Sequence, residues 1–164
     1  MDDQQAKTGS LDLAWLAGFF DGEASFMMTA HRPPGAILKP YFIPRITVVN
    51  TDEPTLAEVM AVLRALGLAF YVSRRTGAGG RLDAWDLRVM GLKRCRAWCS
   101  ALTPALRTKH GQAEAMLGFC DSRLALNGVQ APGAGRPYSA RERELIESLR
   151  GRFRKPQRLH ARPA

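Results

Sequence analysis

The sequence predicts an α+β domain in which one four-stranded antiparallel sheet carries helices on a single face. Three observations lead there. Apolar residues switch between helical spacing and strict alternation in the order α-β-β-α-β-β-α-α, followed by one further helix. Each pair of strand-like segments is joined by a proline- or glycine-rich stretch, shorter than the dozen or so residues that a parallel crossover needs. Within the strands, apolar positions alternate with polar ones, so only one face of the sheet demands cover.

Residues 10–22, SLDLAWLAGFFDG, open on Ser10 as an N-cap and place Asp12 in the first turn, with residues 1–9 as a tail. Leu11, Leu13, Ala14, Trp15, Leu16, Ala17, Phe19 and Phe20 cover nearly every side of this helix, which therefore expects burial all round. A strand over 24–31 (ASFMMTAH) leads into the turn HRPPGAILKP, and a second strand follows over 41–49 (YFIPRITVV). Pro44 predicts an edge position or a bulge for that strand. Next comes a helix with Pro54 in its first turn, a stripe of Leu56, Val59, Met60, Leu63 and Leu66, and Gly67 as its stop. Residues 69–75 and 82–90 form a hairpin around the tip GAGG. Helices over 92–102 and from Pro104 to Cys120 complete a domain placed at 10–125. In the remainder, 126–164, Ser139 and Glu142 have capping-box spacing ahead of Leu145, Ile146 and Leu149, and a basic tail follows.

The chain has 164 residues, 46% of them hydrophobic and 24% charged, which suits one globular domain and excludes disordered and fibrous classes. No apolar run is long enough for a membrane span, and the polar start MDDQQAKTGS is not a signal peptide. Cys95, Cys99 and Cys120 make an odd set with no CxxC pair, so a reducing intracellular setting is expected, without secretion, disulfides or a cysteine zinc site. Cys95 and Cys99 are four apart and read as small buried hydrophobes. Net charge is +9, unevenly spread. Five acids and one base occupy residues 1–25, thirteen bases face five acids over 31–110, and Arg150, Arg152, Arg154, Lys155, Arg158 and Arg162 end the chain. A basic body with an acidic opening segment points to a polyanion partner, nucleic acid above all.

Two features carry chemistry. Strand alternation sets Phe26, Met28, Phe42, Pro44, Ile46, Val48, Trp85, Leu87 and Val89 on an apolar face. Ser25, Met27, Thr29, His31, Tyr41, Ile43, Arg45, Thr47, Tyr71, Ser73, Arg75, Ala84, Asp86 and Arg88 fall on the other. That second face is either a solvated surface or a base-reading one, in which arginine suits guanine and Asp86 a cytosine amino group. The other feature is Leu16-Ala17-Gly18-Phe19-Phe20-Asp21-Gly22-Glu23-Ala24. Gly18 and Gly22 each cost about 1 kcal/mol of helix propensity, which close contact with a second helix would offset. Asp21 and Glu23 stand at the end of the helix where its dipole disfavours negative charge. They are either solvated turn residues or neighbours of a divalent cation.

LAGFFDGEA resembles the signature helix of the LAGLIDADG homing endonucleases. ITVVNTDEPTLAEV resembles that family's step from the first hairpin to its second helix, and PALRTKHGQAEAML the stretch carrying its basic active-site residue. The resemblance spans about residues 11–120 and implies the α-β-β-α-β-β-α fold with a saddle-shaped sheet. It implies a metal-dependent, sequence-specific double-strand DNA endonuclease. One signature implies a homodimer on a pseudo-palindromic site, with Leu13, Leu16, Ala17, Gly18, Phe20, Asp21 and Gly22 at the dimer interface. Glu23 and the Gly22 carbonyl would bind magnesium, or another divalent cation such as manganese, while Asn50 orders water and Lys109 assists at the phosphate. The polar sheet face, with Arg32 and Arg107, would contact DNA. Membrane and small-molecule partners are not expected. Two departures stand out: Glu23 replaces the usual aspartate, and Ala24 replaces the final glycine. The alternative is a non-cleaving member of the fold, either an RNA-binding splicing cofactor (maturase) or a DNA-binding protein. The retained Glu23, Asn50 and Lys109 favour the nuclease. The resemblance places the protein in the cytoplasm or organelle that holds its host genome, and the Met1 start favours an intron-borne or free-standing frame.

Overall fold

A computed structural model describes residues 2–31, 41–77, 79–80, 82–126 and 137–150, with side chains in the first helix described from Asp12 onward. Helix α1 (Asp2–Glu23) leads into strands β1 (Ser25–His31) and β2 (Tyr41–Asn50). Helix α2 (Glu53–Ala65), strands β3 (Tyr71–Arg75) and β4 (Ala84–Met90), and helix α3 (Leu92–Leu102) follow. A 3-10 turn (Thr103–Ala105), α4 (His110–Ala125) and α5 (Ala140–Arg150) complete the order. The four strands form one antiparallel sheet in the order β1-β2-β4-β3. No helix among the described residues is long and apolar enough to cross a membrane.

The predicted alternation fixes the register. Phe26 pairs with Ile46, Ile46 with Val89, and Val48 with Leu87, so the apolar positions share one face. That face and the helices bury Leu16, Phe20, Val59, Leu63, Trp98, Leu102, Met116 and Phe119 almost completely. Trp98 is fully buried, its ring 5.3 Å from that of Phe20, and its indole N–H donates to the Ala69 carbonyl at 3.0 Å. Trp98→Ala removes both the packing and the hydrogen bond, and is expected to destabilise the protein by about 3–5 kcal/mol. Urea unfolding of the two proteins measures it. A loss under 1 kcal/mol would contradict this account of the core.

Several boundaries differ from the sequence reading. The first helix begins at Asp2, so Ser10 is an interior residue and the expected tail 1–9 is largely helical. Pro44 lies in a central strand, without a bulge: β4 pairs with β2 only from Arg45 onward, so its missing N–H breaks no bond to β4. The Pro44 carbonyl accepts from Gly91 N–H at 3.1 Å. Pro104 belongs to the 3-10 turn, and α4 starts only at His110. Helix α2 does stop at Gly67, whose φ of +67° lets its N–H reach the Arg64 carbonyl and the Leu68 N–H the Leu63 carbonyl. The capping box of α5 is formed, with Ser139 N–H on Glu142 and Glu142 N–H on Ser139 Oγ. All three cysteines are buried and unpaired, and burial pushes the Cys120 thiol up to about 12. Residues 127–136 and 151–164, with the expected basic tail, lie outside the described residues.

Candidate active site and nucleic-acid interface

The site at the end of α1 is assembled from two distant parts of the chain. Helix α1 has no basic residue in its last turn to meet its terminal carbonyls. Lys109 supplies that charge from the N-cap position of α4, its Nζ donating to the Phe20 carbonyl at 3.0 Å and to the Gly22 carbonyl at 3.1 Å. Asp21 is the strap that holds Lys109 there. Its Oδ2 accepts the Arg107 N–H at 2.7 Å and its Oδ1 the Lys109 N–H at 2.8 Å. The late start of α4 leaves these amides free to be used in this way. Burial would raise the Asp21 carboxyl, but the amides of Arg107, Lys109 and Thr108 and the Lys109 charge outweigh it and hold it below its ordinary value. Burial pulls the Lys109 ammonium down from its usual range, opposed by the charges of Asp21 and Glu23.

Glu23 is exposed and, among the described residues, makes no hydrogen bond or ion pair. The structure therefore gathers Glu23, Gly22 and Lys109 at one helix end and gives each oxygen of Asp21 an amide donor. Arg107 is exposed beside them. Asn50 makes no hydrogen bond to Glu23. It closes β2, and its Oδ1 accepts the Asp52 N–H at 2.8 Å at the entry to α2. No cluster of three metal-ligating side chains exists among the described residues. The donor set is one free carboxylate and one carbonyl with a second lone pair. That fits magnesium, which binds through one or two carboxylates, keeps several waters and takes the rest from phosphate.

The expected dimer-interface set splits by burial. Leu16, Ala17 and Phe20 are fully buried in the protomer's own core, so they are unavailable to a partner. Leu13 packs against that core, and Asp21 is occupied internally. Gly18 and Gly22 are exposed, and a Cβ added at either would meet no described residue within 4 Å. The outward face also carries Ala14 and Trp15, which the sequence reading did not single out. Trp15 is 44% exposed, and its ring stacks 6.0 Å from that of Phe19. A helix apolar on all sides gives no periodicity from which to separate its two faces.

On the sheet, Ser25, Met27, Thr29, His31, Tyr41, Ile43, Arg45, Thr47, Ser73, Arg75, Ala84, Asp86 and Arg88 share the face away from the core. Arg32 lies outside the described residues. Most of these side chains are partly or fully exposed, but two are not. Asp86 is fully buried, and Thr47 is buried with its hydroxyl donating to Asp86 Oδ1 at 2.8 Å. Asp86 thus cannot present its carboxylate to a cytosine, which corrects that expectation, and Thr47 has given its donor away. Among the described residues, Lys93, Arg96, Asp121, Leu124 and Ala125 line an open hollow of about 610 Å³.

No protein-family model and no curated protein sequence matches the chain. Solved structures do. The homing endonuclease I-CvuI, in complex with its target in the presence of 2 mM Ca, superposes with a TM-score of 0.58 at 22% identity, over 87% of this chain and 96% of that one. The archaeal intron-encoded homing endonuclease I-Vdi141I, complexed with DNA, gives 0.65 at 14% identity, over 92% and 89%. The meganuclease I-SmaMI, bound to uncleaveable DNA, gives 0.61 at 15% identity, over 87% of this chain but only 45% of its own length.

Proposed function

From the premise that the chain has the LAGLIDADG homing endonuclease fold, we propose that it is a sequence-specific double-strand DNA endonuclease working as a homodimer, in the service of intron homing. The observation that carries this reading is the convergence of Glu23, without a partner among the described residues, and a tethered Lys109 on the Gly22 end of a helix whose outer face no described residue covers. One protomer offers a single free carboxylate there, and a second copy related by a two-fold axis through that face supplies the second. The DNA-bound states of the similar structures support the choice of ligand.

In the proposed mechanism Glu23 and the Gly22 carbonyl would hold magnesium or manganese. Such a cation would supply a lowered pKa for a bound water and compensation for charge on the departing 3′ oxygen. Water attacks phosphorus, the P–O3′ bond breaks, and the proton of the attacking water passes to solvent. The Lys109 ammonium, held near the attacked phosphate by Asp21, either polarises that water or offsets charge on the phosphorane. Asn50 orders water through its amide Nδ2, since Oδ1 serves the α2 turn. Arg107 contacts a flanking phosphate, and the polar sheet face lies in the major groove.

The test is incubation with a deep library of duplex DNA and magnesium, followed by sequencing of the ends. Cuts at one pseudo-palindromic motif are expected. No cuts, with selective retention of DNA or of structured RNA, would replace this reading by the binding-only alternative.

A further inference from the structure

The sheet's polar face contains a cluster that the catalytic site does not use. Asp86, fully buried at the centre of β4, stands among Arg45, Arg75 and Arg88. Its Oδ2 accepts from Arg75 Nη2, and lies 3.7 Å from Arg45 Nη2 and 4.0 Å from Arg88 Nη1. Its Oδ1 is filled by Thr47. Burial would raise this carboxyl, but the Thr47 hydroxyl and the Arg75 and Arg45 guanidiniums outweigh it and keep it ionised. One carboxylate thus holds three guanidiniums, drawn from β2, β3 and β4, which would otherwise repel one another. Two positive charges remain uncompensated within the cluster. Arg45 Nε is buried without a hydrogen-bond partner among the described residues, and the Arg75 and Arg88 side chains are 57% and 38% exposed. Each guanidinium has five donors, far more than Asp86 accepts, so the cluster is built to meet an acceptor-rich ligand.

Resting on the proposed DNA reading, we propose that Asp86 is a positioning residue that orients this arginine trio to recognise guanine, through its O6 and N7 acceptors, at one position of each half-site. Guanine is favoured over phosphate because Asp86, Arg45 and Arg88 stand on the two central strands β2 and β4, and Arg75 reaches in to Asp86 from the edge strand β3. Asp86 itself touches no base. Its substitution therefore changes which sequence is bound, and not whether DNA is bound.

The experiment is selection of a randomised duplex library by retention in a metal-chelating buffer, with wild-type protein, Asp86→Asn and Arg75→Lys. Wild-type protein is expected to select a motif with a fixed guanine in each half. Asp86→Asn should lower the preference for that guanine by on the order of tenfold, leave the other positions unchanged, and raise retention of unselected DNA because a negative charge is gone. A general loss of folding would not produce that single-position change. Arg75→Lys keeps the charge but loses the planar fork, and should weaken the same position, so the test survives if Asp86→Asn fails to fold. A selected motif left unchanged by the variants, or an affinity lowered uniformly at all sequences, overturns the clamp alone. A wild-type protein that selects no sequence overturns the DNA reading and this inference with it.

Discussion

Glu23→Gln is expected to lower DNA cleavage by about 10³-fold or more while DNA binding is kept or slightly strengthened. The magnitude follows from the several kcal/mol that charge stabilisation by a bound cation supplies to a transition state, at about 1.4 kcal/mol per factor of ten. Glutamine keeps the length and shape of the side chain and removes its charge, which is what holds a hard cation. The change should cost the fold almost nothing, because Glu23 is exposed and makes no hydrogen bond or ion pair among the described residues; such surface changes usually stay within about 0.5 kcal/mol. Asp21, two residues earlier, is the wrong acid for this test. Its oxygens hold the amides that carry Lys109, so its loss would disturb structure and chemistry together. Single-turnover cleavage of the selected site, alongside DNA retention and urea unfolding, separates the effects. A variant that cuts like the wild type removes Glu23 from the active site.

The sheet was legible in the sequence because its signal has a period of two and one face must be dry. Once Phe26, Ile46, Leu87 and Val89 are placed inside, every polar-face position follows, and the observed register agrees. Helix ends marked by local chemistry were legible too, as at Gly67 and at the Ser139–Glu142 box. What the sequence hid lies in long-range pairings. Nothing near Asp21 announces that it will accept amides from Arg107 and Lys109, and nothing near Pro104 says that α4 must wait until His110 for those amides to be free. The polarity of Asp86 gave its face but not its depth. An aspartate is usually exposed, and only the meeting of three strands surrounds this one with compensating charge. Likewise LAWLAGFF is apolar in every direction, so periodicity could not separate its two faces, and the resemblance assigned to a partner Leu16, Ala17 and Phe20, which the protomer's own core buries.

Leucine at Gly18 should have opposite effects on the protomer and on its self-association, and this makes it the sharpest test of the two-fold arrangement. Within one chain the substitution has room: a Cβ at Gly18 meets no described residue within 4 Å, and leucine is better than glycine in a helix by roughly 0.5–1 kcal/mol. A protein that worked alone would therefore be stabilised by it. The glycine is explained if a second copy of α1 comes close along the face formed by Ala14, Trp15, Gly18 and Gly22. In a two-fold interface each substitution occurs twice, on facing helices. Two inserted side chains, at roughly 1–3 kcal/mol of overpacking each, should raise the dimer dissociation constant by on the order of a hundredfold or more. Sedimentation across a concentration series reads the association, and urea unfolding at concentrations below dissociation reads the protomer. A Gly18→Leu protein that unfolds at higher urea but no longer dimerises supports the shared active site. One that remains fully dimeric places the contact elsewhere, and Glu23 would then need another source for its second carboxylate.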